Sequence, residues 1–154
     1  MSEEIEITKL DNVKTAKNVR NFFQTVFPDY LIEAGYHRTD LKTSQINQTG
    51  IASHNGNSAE QKMKHIYNMQ NKCKAVYQAI DSLPNKPKQP FKAILSEVYL
   101  DELEDWKVMQ KVGYAKTNYG RLKQQALCQF AKALEVQKIK YDADIPNLEV
   151  IKDD

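Results

Sequence analysis

Cysteine is scarce in this chain: Cys73 and Cys128 are the only two in 154 residues, and no Cys-x-x-Cys pair occurs. That excludes a disulfide scaffold, argues against a thiolate zinc site and fits reduced thiols in a cytoplasm. Long apolar runs are missing too. None approaches the roughly 20 residues a membrane helix needs, so no membrane partner is expected. The opening MSEEIEITKLDN is acidic and lacks an apolar stretch, so it does not read as a secretory signal. Glycine numbers only five, and alternating β-branched residues are nearly absent, which leaves little to build strands from. There is no phosphate-cradling glycine loop and no nucleophile elbow, and His37, His54 and His65 stand apart without paired spacing. No catalytic centre, metal site or cofactor is therefore expected. The remainder is ordinary: 41% hydrophobic and 27% charged residues, in a chain long enough to hide roughly 70% of its unfolded surface.

The pattern is all-α. Asp11 or Asn12 can cap a first helix whose apolar face is Val13, Ala16, Val19, Phe23, Val26 and Phe27. Pro28 is expected to kink or end it, with one more turn from Asp29 to Ala34 before Gly35. Residues 35–57 are rich in Thr, Ser, Asn and Gly and form a polar loop. Ser58 and Gln61 then have capping-box spacing and open a long helix. Along it Ile66, Met69, Cys73, Val76, Ile80 and Leu83 make a heptad seam, which suits the core face of a bundle or a homodimer interface, the core reading being the commoner. Residues 1–83 thus form an N-terminal helical region. The proline- and lysine-rich 84–89 reads as a solvated hinge, 90–140 as a second unit, and 141–154 as an acidic tail.

In the second unit, Phe91, Ile94, Leu95, Val98 and Tyr99 mark one helix. Asp101 can cap a short one carrying Leu103, Trp106, Met109 and Val112, with Trp106 as a central packing residue. Gly113 breaks it, and a long helix follows from about Lys116 to Ile139, with Tyr119, Leu122, Ala126, Phe130 and Leu134 facing inward. The net charge of +2 hides a local asymmetry here. Between Trp106 and Lys140 eight basic residues face Glu135 alone, a net +7, with acids clustered on both flanks. Two helices joined by a short glycine turn, the second of them basic, have the sequence form of a helix-turn-helix. The candidate DNA contacts are Lys107, Lys111, Tyr114, Lys116, Thr117, Asn118, Gly120, Arg121, Lys123 and Gln124. Arg suits guanine, Gln or Asn suits adenine, and Lys suits phosphate. Gly120 is open to two readings: close approach of the backbone to the groove, or relief of crowding against a neighbouring helix.

At these residues the chain resembles a known family. The Ile94-Leu95…Tyr99-Leu100 signature, Trp106, Tyr119-Gly120-Arg121-Leu122-Lys123 and Ala126-Leu127…Phe130-Ala131 look like the C-terminal half of the ArpU-type phage transcriptional regulators. Those are related to the RinA-type activators and to region 4 of sigma-70 factors. The resemblance implies a C-terminal helix-turn-helix like sigma-70 region 4. It also implies a prophage regulator of late packaging or lysis genes, acting on double-stranded promoter or operator DNA in the bacterial cytoplasm and contacting host RNA polymerase. Ala115 departs from the pattern, because such units usually cap the recognition helix with Ser or Thr. Thr117 is the alternative cap, and it would shift the groove-facing register. The rival function is the DNA-recognition small subunit of a phage terminase, which also joins a helix-turn-helix to oligomerising helices. A helical adaptor without DNA binding is a third class, and an enzyme is the least expected.

Overall fold

The computed structural model describes residues 9–42 and 57–152. Among these residues the architecture is all-α, with no strand longer than an isolated bridge. Most of the polar loop, including His54, lies outside the described residues, as does the chain before Lys9.

Helix α1 (Asn12–Asn21) starts at Asp11, whose side chain accepts from the Lys14 amide at 3.0 Å. Pro28 was expected to kink or stop the helix. It does not stop it: the helix widens into a π turn over Phe22–Val26 and continues as α2 (Phe27–Ala34). A five-residue turn moves the carbonyl that the proline ring would strike, so Phe27 keeps helical geometry. Gly35 ends α2 in the left-handed region, at φ +74°. A short 3-10 turn (Arg38–Lys42) follows. It is pinned to a distant segment by Arg38 donating to the Tyr99 carbonyl and by a Lys42–Asp101 ion pair, both near 2.8 Å to 2.9 Å.

Helix α3 (Asn57–Asp81) begins one residue before Ser58, which therefore sits inside the first turn and not at the cap. Met69, Cys73, Val76, Ile80 and Leu83 are buried, and so are Ala75 and Ala79 beside them. The heptad seam is core from Met69 onward, while Ile66 at its start is only half-buried. Burial pushes the Cys73 thiol up to about 12, which leaves it unreactive at neutral pH.

Helix α4 (Phe91–Leu95) passes into a second π turn, Ser96–Leu100. Asp101 does not cap the next helix, which starts only at Asp105; its carboxylate is paired with Lys42. Glu104 holds the cap position of α5 (Asp105–Val112) through its extended backbone. Gly113, at φ +79°, closes α5, and α6 (Lys116–Tyr141) is the longest element at 26 residues. Its inward stripe of Tyr119, Leu122, Ala126, Phe130 and Leu134 is buried throughout. It packs chiefly on α3 and α1, and also on α4.

Buried residues from both sides of 84–89 belong to one hydrophobic cluster. Its aromatic centre joins three parts of the chain. The Phe23 ring lies flat on Tyr99 at 4.1 Å and leans on Phe130 at 4.9 Å, with Phe22 packed edge-on to Phe23 at 5.5 Å. The acidic C-terminal segment also joins this body. Ala143, Ile145 and Leu148 are buried, and the backbone pairs with the start of α1 through Asp11 N–H to Val150 O at 2.7 Å and Lys152 N–H to Lys9 O at 3.1 Å.

Val76 is fully buried, so Val76→Glu would place an unpartnered carboxylate in the core. The expected result is loss of the cooperative melt followed by circular dichroism. A monomer that still melts cooperatively would return the seam to the surface.

Candidate nucleic-acid interface

The α5–turn–α6 unit is held by a carboxylate at the first residue of α5. Asp105 Oδ1 accepts from the Tyr119 hydroxyl at 2.6 Å, and both its oxygens accept from Lys123 Nζ, at 2.9 and 3.0 Å. Tyr119 and Lys123 are four apart, so they present neighbouring donors on one side of α6. Burial works to raise the Asp105 pKa, but the hydrogen bonds from Tyr119 and Lys123 and the charges of Lys123 and Arg20 outweigh it and hold the carboxyl below its ordinary value. The same contact, added to burial, pushes the Tyr119 phenol far upward. Lys123 also lies over the Tyr99 ring at 5.7 Å.

This network sorts the predicted contacts. Lys123, with a side chain only 13% exposed, faces inward and braces the two helices. Lys116, Thr117, Asn118, Gly120 and Arg121 are exposed together on the first turn and a half of α6, and Gln124 is half-buried one turn further on. Ala115 holds the cap position by backbone geometry alone, with no side-chain hydrogen bond. Thr117 is thus the second residue of the helix and not its cap, which fixes the outward register. Lys107 is exposed over the Trp106 ring at 5.4 Å, and Lys111 pairs with Glu97 at 3.1 Å. Tyr114 is half-buried, and its hydroxyl donates to the Pro87 carbonyl at 2.6 Å.

One side chain differs from expectation. Trp106 is not a packing centre: it is 51% exposed, and its indole N–H donates to the Glu104 carboxylate at the helix start. Val108, two residues on, takes the buried position instead. At Gly120 the crowding reading fails, since a Cβ there would meet nothing within 4 Å.

The structure adds residues the sequence pattern did not reveal. A groove beside α6 is lined by Lys86, Lys88, Gln89, Tyr114, Arg121, Leu122 and Gln125. The lysines of the supposed hinge stand next to Arg121. The only trace in the sequence was the density of lysine around three prolines, which reads equally as solvation. Elsewhere, His37 lies beside Asp40 in the 3-10 turn and His65 is bonded to Glu33 at 2.8 Å. No group of three potential metal-ligating side chains comes together among the described residues, and no helix there is long and apolar enough to cross a membrane.

A family model described as "Protein of unknown function (DUF1492)" matches residues 54–131, half of the chain. The match covers α3 and runs on through the first 16 residues of α6. No curated protein and no solved structure matches.

Asp105→Asn leaves the Tyr119 hydroxyl and the Lys123 ammonium without their charged acceptor. A loss of about 1–3 kcal/mol is expected, set by the two largely buried donors because the carboxylate itself is half-exposed and screened. The folded Asp105 pKa lies below its ordinary 3.8, so this contribution is complete above that value and disappears as pH falls through the folded one. Melting temperatures of the two proteins should therefore differ at neutral pH and converge in strong acid. A gap that is constant down to the acid limit contradicts the assignment.

Proposed function

The chain belongs to the DUF1492 family, and on its α5–α6 geometry we propose that it is a non-enzymatic, sequence-specific DNA-binding regulator of transcription. The observation that carries this reading is the exposed cluster Lys116, Thr117, Asn118, Gly120 and Arg121 at the start of a helix whose opposite face is anchored in the core. In this reading α5 props α6, and the first turns of α6 enter the major groove of double-stranded DNA. Arg121 reaches base edges, where a guanidinium matches the two acceptors of guanine. Lys116 and Lys107 meet phosphate, Thr117 and Asn118 donate near the helix start, and Gln124 borders the same surface. Lys123 acts from behind, through Asp105.

Gly120 supports the reading by elimination. A glycine inside a helix costs about 1 kcal/mol relative to alanine, and nothing among the described residues needs the space. A DNA backbone or base edge lying close against the helix would need it.

The resemblance to ArpU-type regulators, with their sigma-70 region 4-like unit, extends the proposal to late genes of a phage or prophage, read in the cytoplasm of the bacterial host with RNA polymerase as a partner. A homodimer on a symmetric operator would need a surface other than the Met69–Leu83 part of the seam, which is occupied inside the protein.

Footprinting on the late promoter of the host prophage, followed by salt titration, tests the reading. Lys107, Lys116 and Arg121, on phosphate or groove, should together contribute about −3 to the log–log salt slope. Arg121→Ala should cost about 1–3 kcal/mol on the footprinted site and flatten preference at one base pair, while Lys132→Ala, three turns further along, changes affinity little and preference not at all. Equal proportional losses for Arg121→Ala on specific and scrambled duplexes would demote it to a phosphate contact. A slope near zero on every duplex removes the function altogether.

Gly120→Ala separates stability from function. The melting temperature should rise, because alanine favours the helix by up to about 1 kcal/mol and meets no neighbour. DNA affinity should fall. A stabilised variant with unchanged affinity would leave Gly120 without a role at the groove.

A further inference from the structure

The segment 84–89 is built unlike a hinge. Lys86 and Gln89 exchange both backbone hydrogen bonds, at 3.1 and 2.9 Å, closing a tight loop around Pro87 and Lys88. The Pro84 carbonyl accepts from the Lys92 amide at 3.0 Å, tying the loop to the start of α4. On the other side the Tyr114 hydroxyl donates to the Pro87 carbonyl at 2.6 Å, tying it to the turn between α5 and α6. The loop is therefore fixed at both ends and at its tip. Lys86 and Lys88 are exposed and have no ion-pair partner among the described residues, and with Gln89 they face Arg121 and Gln125 across a shared groove. Uncompensated ammonium groups held on a rigid loop beside an exposed guanidinium form a local anion-binding edge. In contrast, Lys111 and Lys123 have their carboxylates at hand.

We infer that the 84–89 loop is a second DNA-binding element, in which Lys86 and Lys88 hold the phosphate backbone bordering the groove that α6 enters, while Tyr114 positions the loop against α6. The inference rests on the DNA-binding reading above and adds a contact that fixes register: a phosphate clamp beside Arg121 limits how far α6 can rotate or slide over the base edges. Gln89 and Gln125 line the floor between clamp and helix, within the same groove.

The test uses the full chain and a short fluorescent duplex of mixed sequence, titrated over a range of salt. Lys86→Ala with Lys88→Ala should make the slope shallower by about 2, since each lost phosphate contact removes about 0.9. The melting temperature should stay constant, because both side chains are in solvent. Arginine at both positions should restore the slope. Tyr114→Phe keeps the ring and deletes only the hydroxyl donor; its slope should become shallower as well, whereas a merely structural tyrosine would lower the melting temperature and leave the slope alone. An unchanged slope in the double alanine variant, while the unaltered chain still binds in a salt-dependent way, overturns the inference and leaves the DNA reading intact. Absence of binding by the unaltered chain overturns both.

Discussion

The stripe from Tyr119 to Leu134 must be kept from water along most of a helix that spans about 39 Å, and α1, α3 and α4 take their places by covering it. A single helix thus serves as the axis of the core and, at its first turns, as an exposed basic surface. The two duties do not conflict because they fall on opposite sides and different lengths of the helix. Where α6 leaves the cover of α1 and α3, Asp105 takes over by grasping Tyr119 and Lys123, so the projecting end stays aligned with the buried one.

This division explains why the charged residues of the basic window are not equivalent. Charge alone would treat Lys111, Lys116, Arg121 and Lys123 as one population. Packing separates them: Lys123 has a carboxylate behind it and an aromatic ring beneath it, and Lys111 leans on Glu97, while Lys116 and Arg121 have water. A carboxylate held ionised by two partly buried donors is a rigid brace. A lysine in water is a free counter-charge for whatever approaches. The molecule uses both within a span of eight residues.

Much of this was legible in the sequence because helical periodicity is local. The inward stripe of α6, the core seam of α3, the stop at Gly35 and the break at Gly113 each follow from spacings of three, four or one residue. The failures share the opposite character. Trp106 sits at an apolar-looking position of α5, but Val108 fills the buried site and the indole turns to Glu104 and Lys107, which no spacing rule anticipates. Lys123 lies in a run of basic residues, and only the fold shows Asp105 and Tyr99 beneath it. Lys86 and Lys88 gain meaning from Tyr114, whose hydroxyl reaches Pro87 between them from 27 residues along the chain. Pro28 signalled a kink or a stop, and the helix continues past it through one widened turn.

That change of width governs more than proline. The π turns at Phe22–Val26 and Ser96–Leu100 each hold one residue more than an α-turn of the same rise, and Phe23 from the first lies flat on Tyr99 from the second. Phe22 and Phe27, five apart, thereby stack on the same side at 6.3 Å. Losing one residue from either turn would rotate everything beyond it by about 100° and carry the Phe23–Tyr99 pair out of phase. At these two places the chain is therefore constrained in length more tightly than in composition. A different ring of similar size can be accommodated there, but a register one residue shorter cannot.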